Sequence, residues 1–255
     1  MTATPAGMTY ADYLRLEQLL GAQQPLSDLH DEMLFIVIHQ TKELWLKQML
    51  HELELAIELV GQDRFAPAYK ALARLGRIQS VMTLSWDVLS TLTPVDYLAF
   101  RDVLGTSSGF QSAQFRELEY RLGIKDASYL KHYAGDSDDH ARLKRALDEP
   151  SLRDASHLAL ERAGFKLGER SDEAIADAWL QVYRESDRWF ELYQLAEKLV
   201  DIDDALAGWR HKHVLTVERI IGNKAGTGGS AGAAYLRSTL DKRVFPELWA
   251  LRTDL

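Results

Sequence analysis

The sequence predicts an all-α fold, a bundle of long helices in a single domain over residues 1–255. Three observations predict it. Apolar residues recur at intervals of three and four, the helical period, rather than at two. Ala, Leu, Glu, Gln, Arg and Lys dominate the chain, and there are only six prolines among its 255 residues, which is the composition of a helix former. One domain with one large core is the default for this length, and long helical segments without strand signals between them read as a bundle.

The elements follow in order. A first short helix is expected over residues 10–20. Residues 23–28, with Pro25 inside, read as a turn. Ser27 or Asp28 is the candidate N-cap for a long helix over about 29–60, because a short polar side chain can accept from the orphan amides of a first turn. A second long helix follows Asp63 and lasts to about residue 92. Thr93-Pro94 opens a shorter one, since proline's fixed φ and missing N–H suit a first turn. Further helices are expected over 110–122, 138–147, 151–163, 172–200 and 203–222. Residues 226–232 form a small-residue loop, and helix resumes over 234–240.

Composition excludes several classes of function. A formal charge of −8 argues against non-specific binding to nucleic acid or an anionic membrane. The lack of cysteine removes disulfides, Cys-ligated zinc, thiolate-ligated haem and cysteine nucleophiles together. Residues 1–8 lack a charged stretch followed by an apolar one, so no signal peptide is expected, and no apolar run approaches the ~18 residues of a membrane span. The chain is expected to be cytoplasmic, with neither nucleic acid nor membrane as partner.

Four constellations carry the chemistry of interest. Phe35 and His39 are four apart and share a helix face beside Leu34, Ile38 and Trp45. His39 there is either a satisfied core histidine or a neutral imidazole aimed at a ligand. His211 and His213 would chelate one metal from a strand, but on a helix they point roughly 200° apart. The period through Leu206, Trp209, His213, Val217 and Ile220 puts His213 on the apolar stripe and His211 near the polar side. One inward histidine suits axial ligation of a haem iron and suits a structural role equally well. Tyr97 and Arg101 are also four apart. Arg101 either takes a substrate carboxylate bidentately or makes a surface ion pair with Asp102 or Glu117. Gly226 to Gly232 formally fits the G-x-G-x-x-A dinucleotide fingerprint, yet no strand precedes it, so it reads as a loop whose backbone approaches a ligand closely. His51-Glu52 lacks the second histidine of a metalloprotease helix, and no nucleophile elbow is present.

Taken together, these segments resemble the tryptophan 2,3-dioxygenase family in its bacterial form. The resemblance rests on TYADYLRLEQLL at residues 9–20, HDEMLFIVIHQTKELW at 30–45, LTPVDYLAFRDVLGTSSGFQS at 92–112, WRHKHVLTVERIIG at 209–222 and GTGGSAG at 226–232, with FPELW near the end. It spans nearly the whole chain in order. It implies a haem pocket between helices, one haem b per subunit, and a homotetramer built as a dimer of dimers. The implied reaction inserts both atoms of O2 across the indole C2–C3 bond of L-tryptophan, giving N-formyl-L-kynurenine in tryptophan catabolism.

Carried over by position, the resemblance makes His213 the proximal iron ligand and sets His39 on the distal side to hydrogen-bond the indole N–H. Phe35 would pack on the indole. Arg101 would clamp the substrate carboxylate with Tyr97 assisting, and Thr227 would hold the amino-acid head group. Ser108 and Gly109 would lie near haem and substrate. Tyr10, Tyr13 and Leu14 would complete the site of a neighbouring subunit. Two departures stand out: a short turn between Pro25 and His30, and the polar His211 and Lys212 beside His213, which would tune its hydrogen bonding. The alternative reaction is a haem monooxygenase of the same superfamily acting on a modified indole. Non-enzymatic alternatives are a haem sensor or carrier, and a purely structural bundle.

Overall fold

The computed structural model describes residues 7–168 and 171–255. Most of the N-terminal stretch read for a signal peptide therefore lies outside the described residues. Three long helices form the frame. α3 (His30–Gly61) turns back through residues 62–64 into α4 (Phe65–Leu89), and α10 (Phe190–Ile221) packs along the other side of α4. The short connection makes α3 and α4 antiparallel, and Arg74 of α4 pairs with Glu52 of α3.

α10 instead runs parallel to α4. Tyr69 donates its hydroxyl to Glu191 O at 2.8 Å, Gln79 Nε2 donates to Ile202 O at 3.3 Å, and the Trp86 and Trp209 rings lie 5.5 Å apart. The partner numbers rise together, so the two chains point the same way. Along this seam Leu53, Ala56, Leu72, Leu75, Leu195 and Leu199 are fully buried. Each leucine so placed contributes about 1.5–3 kcal/mol relative to exposure.

Shorter helices clothe the frame. α1 (Tyr10–Leu14) and α2 (Leu16–Leu20) lead in, and α5 (Pro94–Phe100) follows α4. α6 (Ala113–Leu122) and α8 (Leu152–Arg162) cover α3, with α7 (Asp138–Asp148) against α6. α9 (Asp172–Arg184) and α12 (Pro246–Ala250) pack together, and α11 (Ala233–Arg237) rests on α10. No strand occurs among the described residues. The all-α bundle expected from the helical period is the fold observed.

Four expected boundaries need correction. The helix expected over 10–20 breaks at Arg15, whose backbone sits in the left-handed region at φ 54. Nothing in the residue type marks that break. The cap of α3 is Leu29, not Ser27 or Asp28. Glu32 reaches back instead, accepting from Leu26 N and Ser27 N at 2.8 Å each, and this holds the short turn after Pro25 closed. The segment expected over 110–122 is a 3₁₀ turn, Gly109–Gln111, followed by α6, which Ser112 caps through Phe115 N.

The largest error concerns residues 172–222. The expected break near Asp203 does not exist, and the chain turns at 185–189 instead. Asp203 resembles an N-cap in sequence, but its carboxylate is committed elsewhere. Buried within α10, it accepts from Val244 N, Phe245 N and Trp249 Nε1 at 3.0–3.1 Å, and so fixes the C-terminal segment onto the bundle.

Asp203→Ala leaves three buried donors without an acceptor, each worth about 1–3 kcal/mol of desolvation. The expected loss is about 3–5 kcal/mol in denaturant unfolding. A loss below about 1 kcal/mol would contradict this anchoring role.

Candidate active site

A cavity of about 890 Å³ opens between α3, α4, α6 and α10, in the size range of small-molecule and cofactor sites. Both inward histidines line it, from different helices. Helical spacing explains each: Phe35 and His39 share one face of α3, and Trp209 and His213 share one face of α10.

The wall at His39 is aromatic. Its ring lies 4.2 Å from that of Phe35, which also meets Tyr97 at 5.9 Å and Phe100 at 5.7 Å. His39 Nδ1 stands 2.7 Å from Phe35 O. A carbonyl only accepts, so Nδ1 carries the proton and Nε2 keeps a free lone pair. Burial pushes the His39 pKa down to about 4, so the ring is neutral at physiological pH. Between the two readings of His39, the geometry combines both: one nitrogen is satisfied by the helix, and the other remains available to a ligand.

The wall at His213 is also aromatic. Trp86 stacks on its ring, centroids 4.3 Å apart and planes within 10°, and Trp209 lies 5.2 Å away. It is half-buried and lines the cavity, and burial lowers its pKa to about 3. Its ring nitrogens make no hydrogen bond among the described residues. The polar neighbours expected to tune it do not surround it. His211 is exposed, and Lys212 turns away to pair with Asp87.

Arg101 starts a 3₁₀ turn after α5 and is not itself among the residues that line the cavity, although Tyr97 on α5 is. The expected surface ion pair with Asp102 or Glu117 is not made. Glu117 pairs with Arg142 at 3.0 Å and with Arg121. Arg101 donates to Ala225 O of the glycine loop, its positive charge acts on the buried Tyr97 hydroxyl, and no carboxylate pairs with it among the described residues. Thr227 donates its hydroxyl to Ser107 O, so the loop lies against residues 104–109. Two of its glycines are required there. A Cβ on Gly228 would meet Ser108 Cβ at 2.6 Å, and one on Gly232 would meet Lys224 O at 2.3 Å. Ser108 caps the Gly109–Gln111 turn through Phe110 N, and Ser108, Gly109 and Thr227 all line the cavity.

Tyr10, Tyr13 and Leu14 do not line this chain's own cavity. Tyr10 and Tyr13 are 76% and 75% exposed, and neither α1 nor α2 buries a single residue.

Sequence reasoning missed several cavity-lining residues: Trp86, Lys42, Arg116, Glu119 and Arg210. Lys42 and Arg210 each stand three residues from a cavity histidine, a spacing visible in the sequence. Around the cavity, Trp86 Nε1, Trp209 Nε1, Lys42 Nζ and Arg116 Nε are buried without a hydrogen-bond partner among the described residues. Orphaned polar atoms beside unclaimed imidazole nitrogens, with aromatic rings around both histidines, fit a planar apolar cofactor that carries an axially ligated metal and polar substituents. No group of three or more metal-ligating side chains occurs among the described residues. A haem needs only one protein ligand, so His213 is sufficient for it.

The comparisons with known proteins agree. The family model for tryptophan 2,3-dioxygenase matches residues 1–173 and 166–255. A tryptophan 2,3-dioxygenase of Caulobacter vibrioides is 60% identical, over 97% of this chain and 98% of that protein. Those of Bacillus thuringiensis subsp. konkukian and Bordetella parapertussis are 53% and 51% identical over 97% of this chain and 93% and 91% of theirs. By sequence along its whole length, and with a cavity suited to the group such enzymes use, the chain belongs to the tryptophan 2,3-dioxygenase family.

Proposed function

We propose that the chain cleaves the indole C2–C3 bond of L-tryptophan with both atoms of dioxygen, giving N-formyl-L-kynurenine. The observation that carries this reading is the pair of neutral histidines on separate helices across one cavity, with Arg101, which has no carboxylate partner among the described residues, bonded to the glycine loop beside it. The dioxygenase names of the relatives favour it over single-oxygen transfer to a modified indole.

His213 would hold the iron of one haem b per chain. Stacking on Trp86 fixes its ring plane, and its low pKa keeps a nitrogen lone pair free. The bound haem supplies dioxygen binding and activation. The remaining steps belong to the chain. His39 Nε2 accepts the indole N–H, because Nδ1 is held by Phe35 O. With a pKa near 4 it is too weak a base to take that proton, so its part is orientation. Phe35 gives the indole an apolar face. Arg101 takes the substrate carboxylate as a two-pronged donor, with Tyr97 assisting. The carboxylate replaces Ala225 O as acceptor, which ties the glycine loop to occupancy of the site. Thr227 would bind the head group, and Ser108 and Gly109 form the adjacent floor. The closed loop would exclude water from the reacting bond.

Tyr10, Tyr13 and Leu14 would enter the site of a neighbouring subunit in a homotetramer, a dimer of dimers. Isolated five-residue helices with no buried face are unstable alone, so α1 and α2 need a partner surface. No helix among the described residues is long and apolar enough to cross a membrane, which is compatible with work in the cytoplasm.

His213→Ala is expected to abolish stable haem binding, read as loss of the Soret band. A normal five-coordinate ferrous spectrum in that variant refutes the ligand role. Arg101→Ala is expected to lower kcat/KM for L-tryptophan by ~2–5 kcal/mol, the cost of removing one partner of a buried charge pair. An unchanged kcat/KM removes Arg101 from substrate binding. Because the pKa of His39 lies below its ordinary 6.5, its neutral form is complete well above pH 4 and is lost only as the pH falls toward 4. The kcat/KM profile should therefore show no inflection from His39 between about pH 5.5 and 8. An inflection near 6.5 that disappears in His39→Gln contradicts the neutral-acceptor assignment.

A further inference from the structure

Two cationic groups on the cavity wall have no part in the roles above. Lys42 is 6% exposed, and its ammonium stands 2.9 Å from the centroid of the Trp86 ring. That ring face is its only electrostatic support: Nζ has no hydrogen-bond acceptor, and no carboxylate pairs with it among the described residues. The second group is a triad. Glu119 accepts from Arg116 and, at 2.8 Å, from Arg210, with all three side chains buried. Two guanidiniums share one carboxylate, so the triad carries one surplus positive charge, and Arg116 Nε has no hydrogen-bond partner among the described residues. Buried polar groups without partners are costly, and these line the cavity rather than the outer surface.

Their placement follows from the frame. Lys42 comes three residues after His39 on α3, and Arg210 three residues before His213 on α10, so each cation shares its histidine's helix face. α3 runs antiparallel to α10. One turn forward on α3 and one turn back on α10 therefore lead the same way, and both surplus cations stand to the same side of the histidine pair. Phe35, which meets Tyr97, lies one turn from His39 in the opposite direction.

We propose that Lys42 and the Arg116–Glu119–Arg210 triad receive the two propionate carboxylates of the haem. This rests on the haem reading above and assigns residues to its polar edge. The donors match in number: one buried amine and one surplus guanidinium for two carboxylates. The donors match in kind, since a guanidinium and an ammonium both make charge-assisted hydrogen bonds to carboxylate oxygens. Without such a partner, burial pushes the Lys42 amine down to about 6, and a carboxylate beside it would restore the charged form.

The test is titration of haem-free protein with ferric haem and with its dimethyl ester, which lacks both carboxylates, followed by the Soret band. The wild-type chain is expected to bind haem more tightly than the ester. Lys42→Met should weaken haem binding about tenfold to a hundredfold, the size of a hydrogen bond to a charged group, while ester binding barely changes. Arg116→Gln, which leaves Arg210 paired one-to-one with Glu119, should show the same selective loss. Haem-free Lys42→Met should melt no lower than wild type, because it removes a buried amine that has no hydrogen-bond acceptor. Folded variants that keep the wild-type preference for haem over ester overturn the proposal. A wild-type chain that binds neither porphyrin overturns the haem reading itself, and the proposal with it.

Discussion

The register of α4 against its two long neighbours is the constraint on which the rest depends. α4 touches α3 along one side and α10 along the other, antiparallel to the first and parallel to the second. That arrangement brings His39, near the start of α3, and His213, near the end of α10, to the same end of the bundle. Trp86, near the end of α4, stacks directly on His213. A shift of one helical turn would separate these rings by about 5 Å and dissolve the site. The seam that fixes the register is apolar and fully buried, so catalytic geometry is purchased with ordinary core packing.

Around that frame, polar groups divide into two kinds. Some are satisfied inside the fold and do structural work. Asp203 accepts from three donors of the C-terminal segment, and Glu247 joins Arg153 and His157 to hold α12 on α8. Others line the cavity with capacity unspent: His39 Nε2, His213, Lys42 Nζ, Arg116 Nε. A native core tolerates few unsatisfied polar atoms, so their concentration around one cavity is the physical mark of a binding site. The same distinction separates the two ends of the loop region. Ala225 O, which accepts from Arg101, is a neutral acceptor standing where a carboxylate would bind more strongly.

Much of this was legible in the sequence, and the failures have physical causes. The helical period located the long helices and put His213 inward and His211 outward, as observed. Pro94 opens α5 as proline chemistry requires, with Thr93 capping it through Asp96 N. The break placed before Asp203 failed because an aspartate that looks like a cap was bonding to a segment forty residues away. Capping rules are local and cannot see such a partner. Lys42 was passed over because a lysine inside a helix normally lies on the solvated face. Only packing against Trp86 reveals it as a cavity residue. The roles of Arg101 and Thr227 rested on resemblance, because the loop that meets them is more than a hundred residues from Arg101 in the chain.

The central claim is that two oxygen atoms from one dioxygen molecule enter an indole substrate held between His39 and Arg101. Turnover of L-tryptophan under ¹⁸O-labelled dioxygen by the haem-loaded chain, read by product mass, tests it most directly. The account predicts N-formyl-L-kynurenine with both added oxygens labelled. A product carrying a single added oxygen, or no turnover by a chain with bound haem, would contradict it.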